Sequence, residues 1–132
     1  MIKIKLGTLA DLIKKKGTEV ENTALGTAVA NNEAKYYLIT KDDEIIDDFW
    51  IYLDERIWLC LYNPELLTNE QIMNQIFKQL KADGYQKIKI NRNVESSNHR
   101  TLSKEEQISL KKYGFTEESV CTNTIYWFNK NL

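Results

Sequence analysis

The spacing of apolar residues predicts a strand followed by two helices in the first quarter of the chain. Residues 2–6 alternate isoleucine or leucine with lysine, which is the period of a half-buried strand. From Thr8 onwards the apolar residues follow helical spacing as far as Gly17, which favours the end of a helix. A second helix is predicted directly afterwards, because Thr18 and Glu21 have the spacing of a capping box.

The next segment, residues 34–63, is rich in aromatic and β-branched residues and predicts an antiparallel meander. Three strands are expected at residues 35–40, 44–54 and 56–63, separated by short polar turns. The third is apolar at nearly every position, which is typical of a strand that is buried on both faces. We therefore place it at the centre of the sheet.

The second half of the chain predicts helices that alternate with strands. A helix is expected to begin at a capping box formed by Thr68 and Gln71, and residues 86–91 then alternate as a strand. Strand, helix and strand in this order form a right-handed crossover between parallel strands. A further helix precedes two last strands, at residues 115–120 and 124–128.

Element order and composition together define the fold class. The order βααβββαβαββ predicts a single α+β domain over residues 1–132, with helices on both faces of a mixed, mostly antiparallel sheet of about seven strands. Lysine and arginine number 18 against 19 aspartates and glutamates, without long blocks of one sign, so the charge pattern of proteins that bind duplex nucleic acid or anionic membranes is absent. The basic run at residues 14–16 ends a predicted helix, where cations complement the helix dipole.

The apolar segments are too short for a membrane protein. The longest, residues 57–62, falls far below the roughly 18 to 20 residues that span a bilayer. The N-terminal residues lack the continuous apolar core of a signal peptide, so we expect a cytoplasmic protein. Cys60 and Cys121 share no metal-type spacing, and we expect reduced, buried thiols and no metal site.

Three short motifs resemble those of a known family and occur in the family's order. Pro64 and Glu65, after the central strand, resemble the V-x-P-E sequence that opens the cofactor segment of GNAT-type N-acetyltransferases. Residues 111–115, KKYGF, resemble the Y-x-K-x-G-F that closes the last helix of that family, and residues 84–88 resemble its helix-to-strand joint. Together with the element order, the resemblance covers essentially the whole chain and implies a GNAT-like fold.

The resemblance implies a sheet that opens between the strands at residues 56–63 and 86–91 and admits the pantetheine arm of acetyl-CoA like an extra strand. In that family, backbone N–H groups of a glycine-rich loop hold the pyrophosphate at the start of the following helix. Here the loop has no glycine, arginine or lysine and carries Glu70, whose charge disfavours a pyrophosphate. The cofactor-binding residues that the resemblance implies are Leu61, Tyr62, Leu67, Thr68, Asn69, Glu70, Gln71, Asn91 and Asn98.

Asp48 and Tyr113 are the candidate catalytic residues. Consecutive strand residues face opposite ways, so one of Asp47 and Asp48 must share a face with Trp50. A carboxylate desolvated among aromatic side chains becomes a stronger base and could accept the proton of an amine; alternatively, the pair lies in water near a hairpin end or marks a bulge. Tyr113 lies one turn beyond the position at which many family members have the tyrosine that protonates the departing thiolate.

Two functions follow from the resemblance. The first is an acyl-CoA-dependent N-acyltransferase that transfers an acetyl group from acetyl-CoA to a small-molecule or peptide amine. The second is a catalytically inactive GNAT-fold protein that has lost acetyl-CoA and binds a protein partner through the cleft or the sheet. His99 is the only histidine and lies in a polar loop, where a solvated side chain is expected, so a hydrolase triad has no support.

Overall fold

The computed structural model describes residues 1–93, 101–120 and 125–132. Helices and strands follow one another in the predicted order, which confirms the α+β class. The strands are β1 (Ile2–Leu6), β2 (Ala34–Lys41), β3 (Glu44–Tyr52), β4 (Ile57–Leu61), β5 (Lys87–Asn91), β6 (Thr116–Val120) and β7 (Ile125–Asn131). The α-helices are α1 (Leu9–Lys16), α2 (Ala24–Ala30), α3 (Glu70–Ala82) and α4 (Lys104–Lys112), and two 3-10 segments cover Thr18–Asn22 and Pro64–Thr68.

The seven described strands form one mixed sheet in the order β1-β2-β3-β4-β5-β7-β6. Neighbouring strands are antiparallel except β4 and β5, which run parallel. Helix α3 connects these two strands, so the predicted crossover is present. The apolar strand β4 lies in the middle of the sheet, as its continuous apolar pattern predicts.

The helices bury the two faces of the sheet in separate cores. Helices α3 and α4 pack on the face that carries Phe49 and Leu59, which we call the α3–α4 face. Helices α1 and α2 pack with the first 3-10 segment on the face that carries Trp50 and Cys60, which we call the α1–α2 face. Because successive strand residues alternate between faces, β3 and β4 each contribute side chains to both cores.

The N-cap of α3 lies one residue later than predicted. Pro64 has a fixed φ that suits the first turn of a helix, and a 3-10 segment runs from it to Thr68. The Thr68 hydroxyl donates to a carbonyl within that segment, at 2.8 Å, and is therefore engaged there. The side chain of Asn69 is the cap instead, because its oxygen accepts the N–H of Ile72 at 3.1 Å.

The predicted capping box at Thr18 is wrong. Residues Thr18–Asn22 form a 3-10 segment, and α2 begins after Thr23, whose hydroxyl accepts the N–H of Gly26 at 3.1 Å. The 3-10 segment and α2 pack closely here, since a Cβ at Gly26 would lie 1.9 Å from the carbonyl oxygen of Val20. Only glycine permits this close approach of the two chain segments, and it places Val20 in the core of the α1–α2 face.

The last strand extends further than its predicted end at residue 128. Its pairing with β5 continues to Asn131, which lies opposite Lys87. Three residues named by the sequence reasoning, Cys121, Asn98 and His99, lie outside the described residues.

Candidate functional site

The sheet opens between its two parallel strands. β4 and β5 pair at Ile57 with Ile88 and at Trp58 with Lys89, and their described pairing ends there. Beyond this point β4 stays paired with β3 as far as Leu61, while β5 stays paired with β7. Each strand thus follows its outer neighbour, and a cleft opens at the carboxyl ends of both.

The cleft passes between the two faces of the sheet. It is lined from one face by Leu59 and Leu61 and from the other by Trp58 and Cys60. Its free volume is about 30 Å³, roughly the room of one or two water molecules. A longer apolar chain can therefore enter only if the strands move further apart. The remaining lining residues are Pro64, Leu67, Ile90, Asn91, Asn93 and Leu102.

The loop before α3 exposes most of the residues that were expected to bind a pyrophosphate. Thr68, Asn69, Glu70 and Gln71 are all exposed, whereas Leu67 is buried against the cleft. Asn69 already satisfies one free N–H group of the helix start, and Glu70 forms an ion pair with Lys112 at 2.9 Å. The helix N-terminus therefore carries its own cap and its own carboxylate, which reduces its attraction for a phosphate.

An acidic hollow of about 570 Å³ adjoins the mouth of the cleft. The two sites are neighbours, since Pro64 and Leu67 of the second 3-10 segment line the cleft while Glu65 and Thr68 of the same segment line the hollow. Glu105 lies in the opposite wall. Carboxylates at this place favour a cation and repel a pyrophosphate. The other residues that line the hollow are Thr101, Ser103 and Glu106, the last of which is buried and accepts the backbone N–H of Ser103.

Tyr113 joins the end of α4 to the wall of the cleft. Its hydroxyl donates to the backbone carbonyl of Leu67 at 2.8 Å, and its ring packs edge-on against Phe77. Burial raises the pKa of Tyr113, and the nearby Glu70 carboxylate raises it further. The phenol is therefore protonated at neutral pH and able to donate. Leu110, one turn earlier, is buried in the core of the α3–α4 face.

Asp48 lies on the α1–α2 face and is 1% exposed. Its Oδ2 atom accepts the Tyr36 hydroxyl at 2.5 Å and lies 3.2 Å from the Lys16 ammonium. Burial raises the pKa of Tyr36 far above its usual range, and the hydrogen bond to Asp48 raises it further. The expectation that one aspartate shares a face with Trp50 holds for Asp48, and the alternative that this carboxylate lies in water is wrong.

Asp47 has a different environment from its neighbour. It is half-buried, and its carboxylate accepts the backbone N–H of Asp48 at 2.9 Å. The register between β2 and β3 shifts here, because Ile39 pairs with Asp47 while Thr40 pairs with Ile45. The alternative of a bulge therefore holds for β3 itself, where the register skips Ile46, next to Asp47.

Lys16 completes the site and was not predicted as part of it. Its ammonium lies 3.6 Å from the ring centroid of Tyr62, and the same nitrogen is paired with Asp48. Tyr62 is exposed and follows Leu61, so this cation–π contact lies next to the cleft. The helix dipole, which the sequence pattern predicts as the role of the whole run at residues 14–16, accounts only for Lys14 and Lys15, which are exposed at the helix end.

The predicted residues therefore form two groups on opposite sides of one cleft. Asp48 and Tyr62 lie towards the α1–α2 face, and Leu67 and Tyr113 lie towards the α3–α4 face. Asn91 belongs to the cleft itself, where its side-chain oxygen accepts the N–H of Asn93 at 2.8 Å.

Neither a membrane-spanning helix nor a metal-binding cluster is present among the described residues. No described helix is long and apolar enough to cross a membrane. Across residues 1–93, 101–120 and 125–132, histidine, cysteine and carboxylate side chains do not gather in the groups of three or more that hold a metal ion.

Comparison with known proteins identifies the fold. The chain resembles a probable acetyltransferase from Staphylococcus epidermidis, with 16% identity over 99% of both chains and a TM-score of 0.61. It is also similar to a GNAT family acetyltransferase from Elizabethkingia anophelis with acetyl-CoA bound, at 16% identity over 99% and 98% of the chains and a TM-score of 0.60. An acetyltransferase from Thermus thermophilus gives 13% identity over 100% and 97% and a TM-score of 0.63.

These similarities extend over the whole chain, so the protein has the GNAT fold, as the motifs and element order imply. No family model matches the sequence, and no curated protein matches it. Low identity to each structural neighbour accompanies a shared architecture, which makes this chain a divergent example of the fold.

Proposed function

We propose that this protein is an acyl-CoA-dependent N-acyltransferase that transfers an acetyl group to a small-molecule or peptide amine. The observation that carries the proposal is the cleft between β4 and β5, which opens at the carboxyl ends of two parallel strands and reaches both faces of the sheet. A structural neighbour of the same fold has acetyl-CoA bound. The proposal includes a cytoplasmic location and no nucleic-acid partner.

The lining of the cleft suits the thioester arm better than it suits the nucleotide. Apolar side chains such as Leu61 and Leu67 can pack on an aliphatic arm, and Asn91 can accept or donate a hydrogen bond to its amides. The cosubstrate brings an activated acyl group. Thr68, Asn69, Glu70 and Gln71 offer exposed groups at its polar end but no cation, so we expect weak binding of the phosphates.

Residues on the two faces have complementary roles in this proposal. Asp48 acts as the general base for an acceptor amine that takes the place of Lys16, because one oxygen of its carboxylate has no described hydrogen-bond partner. Tyr113 stays protonated and can donate a proton to a departing thiolate once its hydroxyl turns from the Leu67 carbonyl. Tyr62 offers an aromatic surface for the acceptor amine while that amine is still protonated.

Isothermal titration of the purified protein with acetyl-CoA and with CoA tests the proposal. We expect heat of binding with a micromolar dissociation constant. Absence of heat, together with an unchanged thermal midpoint at millimolar cosubstrate, would eliminate the acyltransferase.

The acidic hollow gives a charge test of where the phosphates lie. Two surface charges about 8 Å apart repel by about 0.5 kcal/mol in water. Removing two such repulsions by Glu65→Gln and Glu105→Gln together, about 1 kcal/mol in all, should therefore tighten acetyl-CoA binding by about fivefold at low salt, and less at high salt. Glu21→Gln, an exposed glutamate of the first 3-10 segment, is the matched control and should change nothing. If all the variants bind acetyl-CoA with equal affinity, the phosphates do not lie near this hollow.

A second function is favoured by the narrow cleft and the acidic hollow beside it. In this alternative the protein has lost the ability to bind acetyl-CoA and instead binds a protein partner. Basic side chains of that partner lie over Glu65 and Glu105. Affinity capture should then recover a partner with the parent protein and lose it when both glutamates are changed to lysine. Tight binding of acetyl-CoA, or a captured partner that is insensitive to both changes, would reject this alternative.

A further inference from the structure

The ammonium of Lys16 is held between a carboxylate and an aromatic ring. Its nitrogen lies 3.2 Å from Oδ2 of Asp48 and 3.6 Å from the ring centroid of Tyr62. The Lys16 side chain is 16% exposed and that of Asp48 only 1%. A carboxylate together with an aromatic face is a combination that binds primary ammonium groups. We call the Asp48 carboxylate and the Tyr62 ring the cage, and the chain fills it with its own Lys16 amine.

Stabilisation of α1 does not account for the position of Lys16. Lys14 and Lys15 lie in the same last turn and are exposed, so they already complement the helix dipole. A buried ion pair is stabilising when both partners have their remaining hydrogen bonds satisfied. Here Oδ1 of Asp48 and the indole N–H of Trp50, two residues further along β3, have no hydrogen-bond partners among the described residues. The cage thus retains a buried oxygen that can accept a proton.

The cage also lies at one mouth of the cleft. Tyr62 directly follows Leu61, which lines the cleft, and Cys60 lines it from the α1–α2 face. Trp50 pairs with Cys60 across β3 and β4, so Asp48 is two residues along the same face from the cleft wall. The Lys16 amine therefore lies beside the cleft on this face, where an acyl group held between β4 and β5 can approach it.

We propose that Lys16 is a self-acylation site, whose ε-amine takes the acyl group of a thioester bound in the cleft. The inference rests on the proposed acyltransferase function. One proton passes from the Lys16 ammonium to Asp48, and the neutral amine attacks the thioester carbonyl. The carbon–nitrogen bond forms, the carbon–sulfur bond breaks, the second amine proton goes to the thiolate, and Asp48 returns its proton to solvent. The products are an amide on Lys16, a free thiol and one released proton.

Self-acylation changes the state of the cage. An acylated Lys16 has no positive charge and can neither neutralise Asp48 nor stack as a cation on Tyr62. The Asp48 carboxylate is then available to the ammonium of another acceptor. The unmodified protein holds its own amine in the position that an incoming amine needs, and acylation removes this competitor.

The test compares three neighbouring lysines in one peptide. The full chain is incubated with acetyl-CoA and, separately, with acetic anhydride, and the occupancy of Lys14, Lys15 and Lys16 is followed by mass spectrometry. Acetic anhydride should modify the exposed Lys14 and Lys15 first, because Lys16 is ion-paired and largely buried. Acetyl-CoA should modify Lys16 severalfold faster than either neighbour. Lys16→Arg should remove the rapid phase while retaining the positive charge.

Two variants distinguish acylation that depends on the cage from the general reactivity of the lysines. Asp48→Asn should abolish the preference for Lys16. Tyr62→Leu changes an exposed side chain, is expected to fold, and should reduce the preference severalfold with acetyl-CoA while leaving the anhydride pattern unchanged. Lys16 that stays unmodified while Lys14 and Lys15 react would overturn the proposal.

The outcome is distinguishable from failure of the acyltransferase function. Binding of acetyl-CoA and transfer to an added amine, without acylation of Lys16, would reject the self-acylation site alone. If acetyl-CoA does not bind, S-acetylpantetheine, which lacks the nucleotide charges, replaces it in the same experiment. Failure of this thioester to acylate Lys16 ahead of its neighbours would also overturn the proposal.

Discussion

Replacing Lys16 by methionine measures the cost of leaving Asp48 buried without its cation on the α1–α2 face. Methionine keeps an unbranched apolar side chain but removes the ammonium, so Asp48 remains buried with the Tyr36 hydroxyl as its described hydrogen-bond partner. Removing one member of a buried pair costs about 3–5 kcal/mol, because the other charge is left uncompensated. We expect the lower value, about 3 kcal/mol, since 16% of the Lys16 side chain is exposed and water can partly replace it.

The two members of the ion pair differ in exposure, so replacing each of them should have a different cost. Asp48→Asn keeps an oxygen that accepts from Tyr36 and allows Lys16 to turn towards solvent, so it should cost only about 1 kcal/mol. The double variant leaves no unpaired buried charge and should lose about 1–2 kcal/mol, well below the sum of about 4 kcal/mol for independent sites. The Lys16→Met change alone should lower the thermal midpoint of this 132-residue chain by about 10 °C.

Urea unfolding at fixed pH and salt, followed by tryptophan fluorescence, provides the four free energies of the cycle. Lys15→Met is the matched control, and because Lys15 is exposed it should change the free energy of unfolding by less than about 0.5 kcal/mol. Additivity of the Lys16 and Asp48 changes within about 0.5 kcal/mol would refute the reasoning, because it would mean that the two groups do not interact in solution.

Two further predictions concern the pH dependence and the helix start. Burial and the hydrogen bond to Asp83 raise the pKa of Tyr37 in the folded protein, so its contribution to stability is full below pH about 10 and is lost as the pH rises further; in alkaline unfolding titrations Tyr37→Phe should therefore show a shallower loss. An equally steep loss would contradict this. Asn69→Ala should lower the free energy of unfolding by about 1 kcal/mol and Thr68→Ala by less, because Asn69 is the N-cap of α3. A larger loss for Thr68→Ala in equilibrium unfolding would mean that α3 begins at Thr68.

The fold was predictable because each strand carries its own pattern. Residues of β3 alternate between the two cores, and β4 is apolar throughout, so the position of β4 in the middle of the sheet follows from sequence alone. Pro64 marks the passage into the crossover helix. The remaining errors are local, since Thr68 and Asn69 are both suitable caps and the 3-10 turn set by Pro64 decides between them.

The candidate site was predicted only in part, because its key contact joins distant parts of the chain. Strand alternation predicts that one of the two aspartates shares a face with Trp50, but nothing local relates Lys16 to β3. A buried carboxylate requires a compensating cation, and this rule could have directed attention to a basic residue at the end of a neighbouring helix. The acidic hollow escaped prediction for the same reason, because Glu65 and Glu105 belong to segments that meet only in the folded chain.

The central claim is that the opening between β4 and β5 holds the arm of an acyl thioester, and amide hydrogen exchange tests it most directly. The protein is labelled with and without saturating acetyl-CoA, and exchange is compared at Leu59–Leu61 of β4, at Ile90–Asn91 of β5 and, as an internal control, in β1. A thioester arm that lies between the strands should slow exchange at the carboxyl ends of β4 and β5 and leave β1 unchanged. Unchanged exchange at both strand ends under saturating acetyl-CoA would contradict the account.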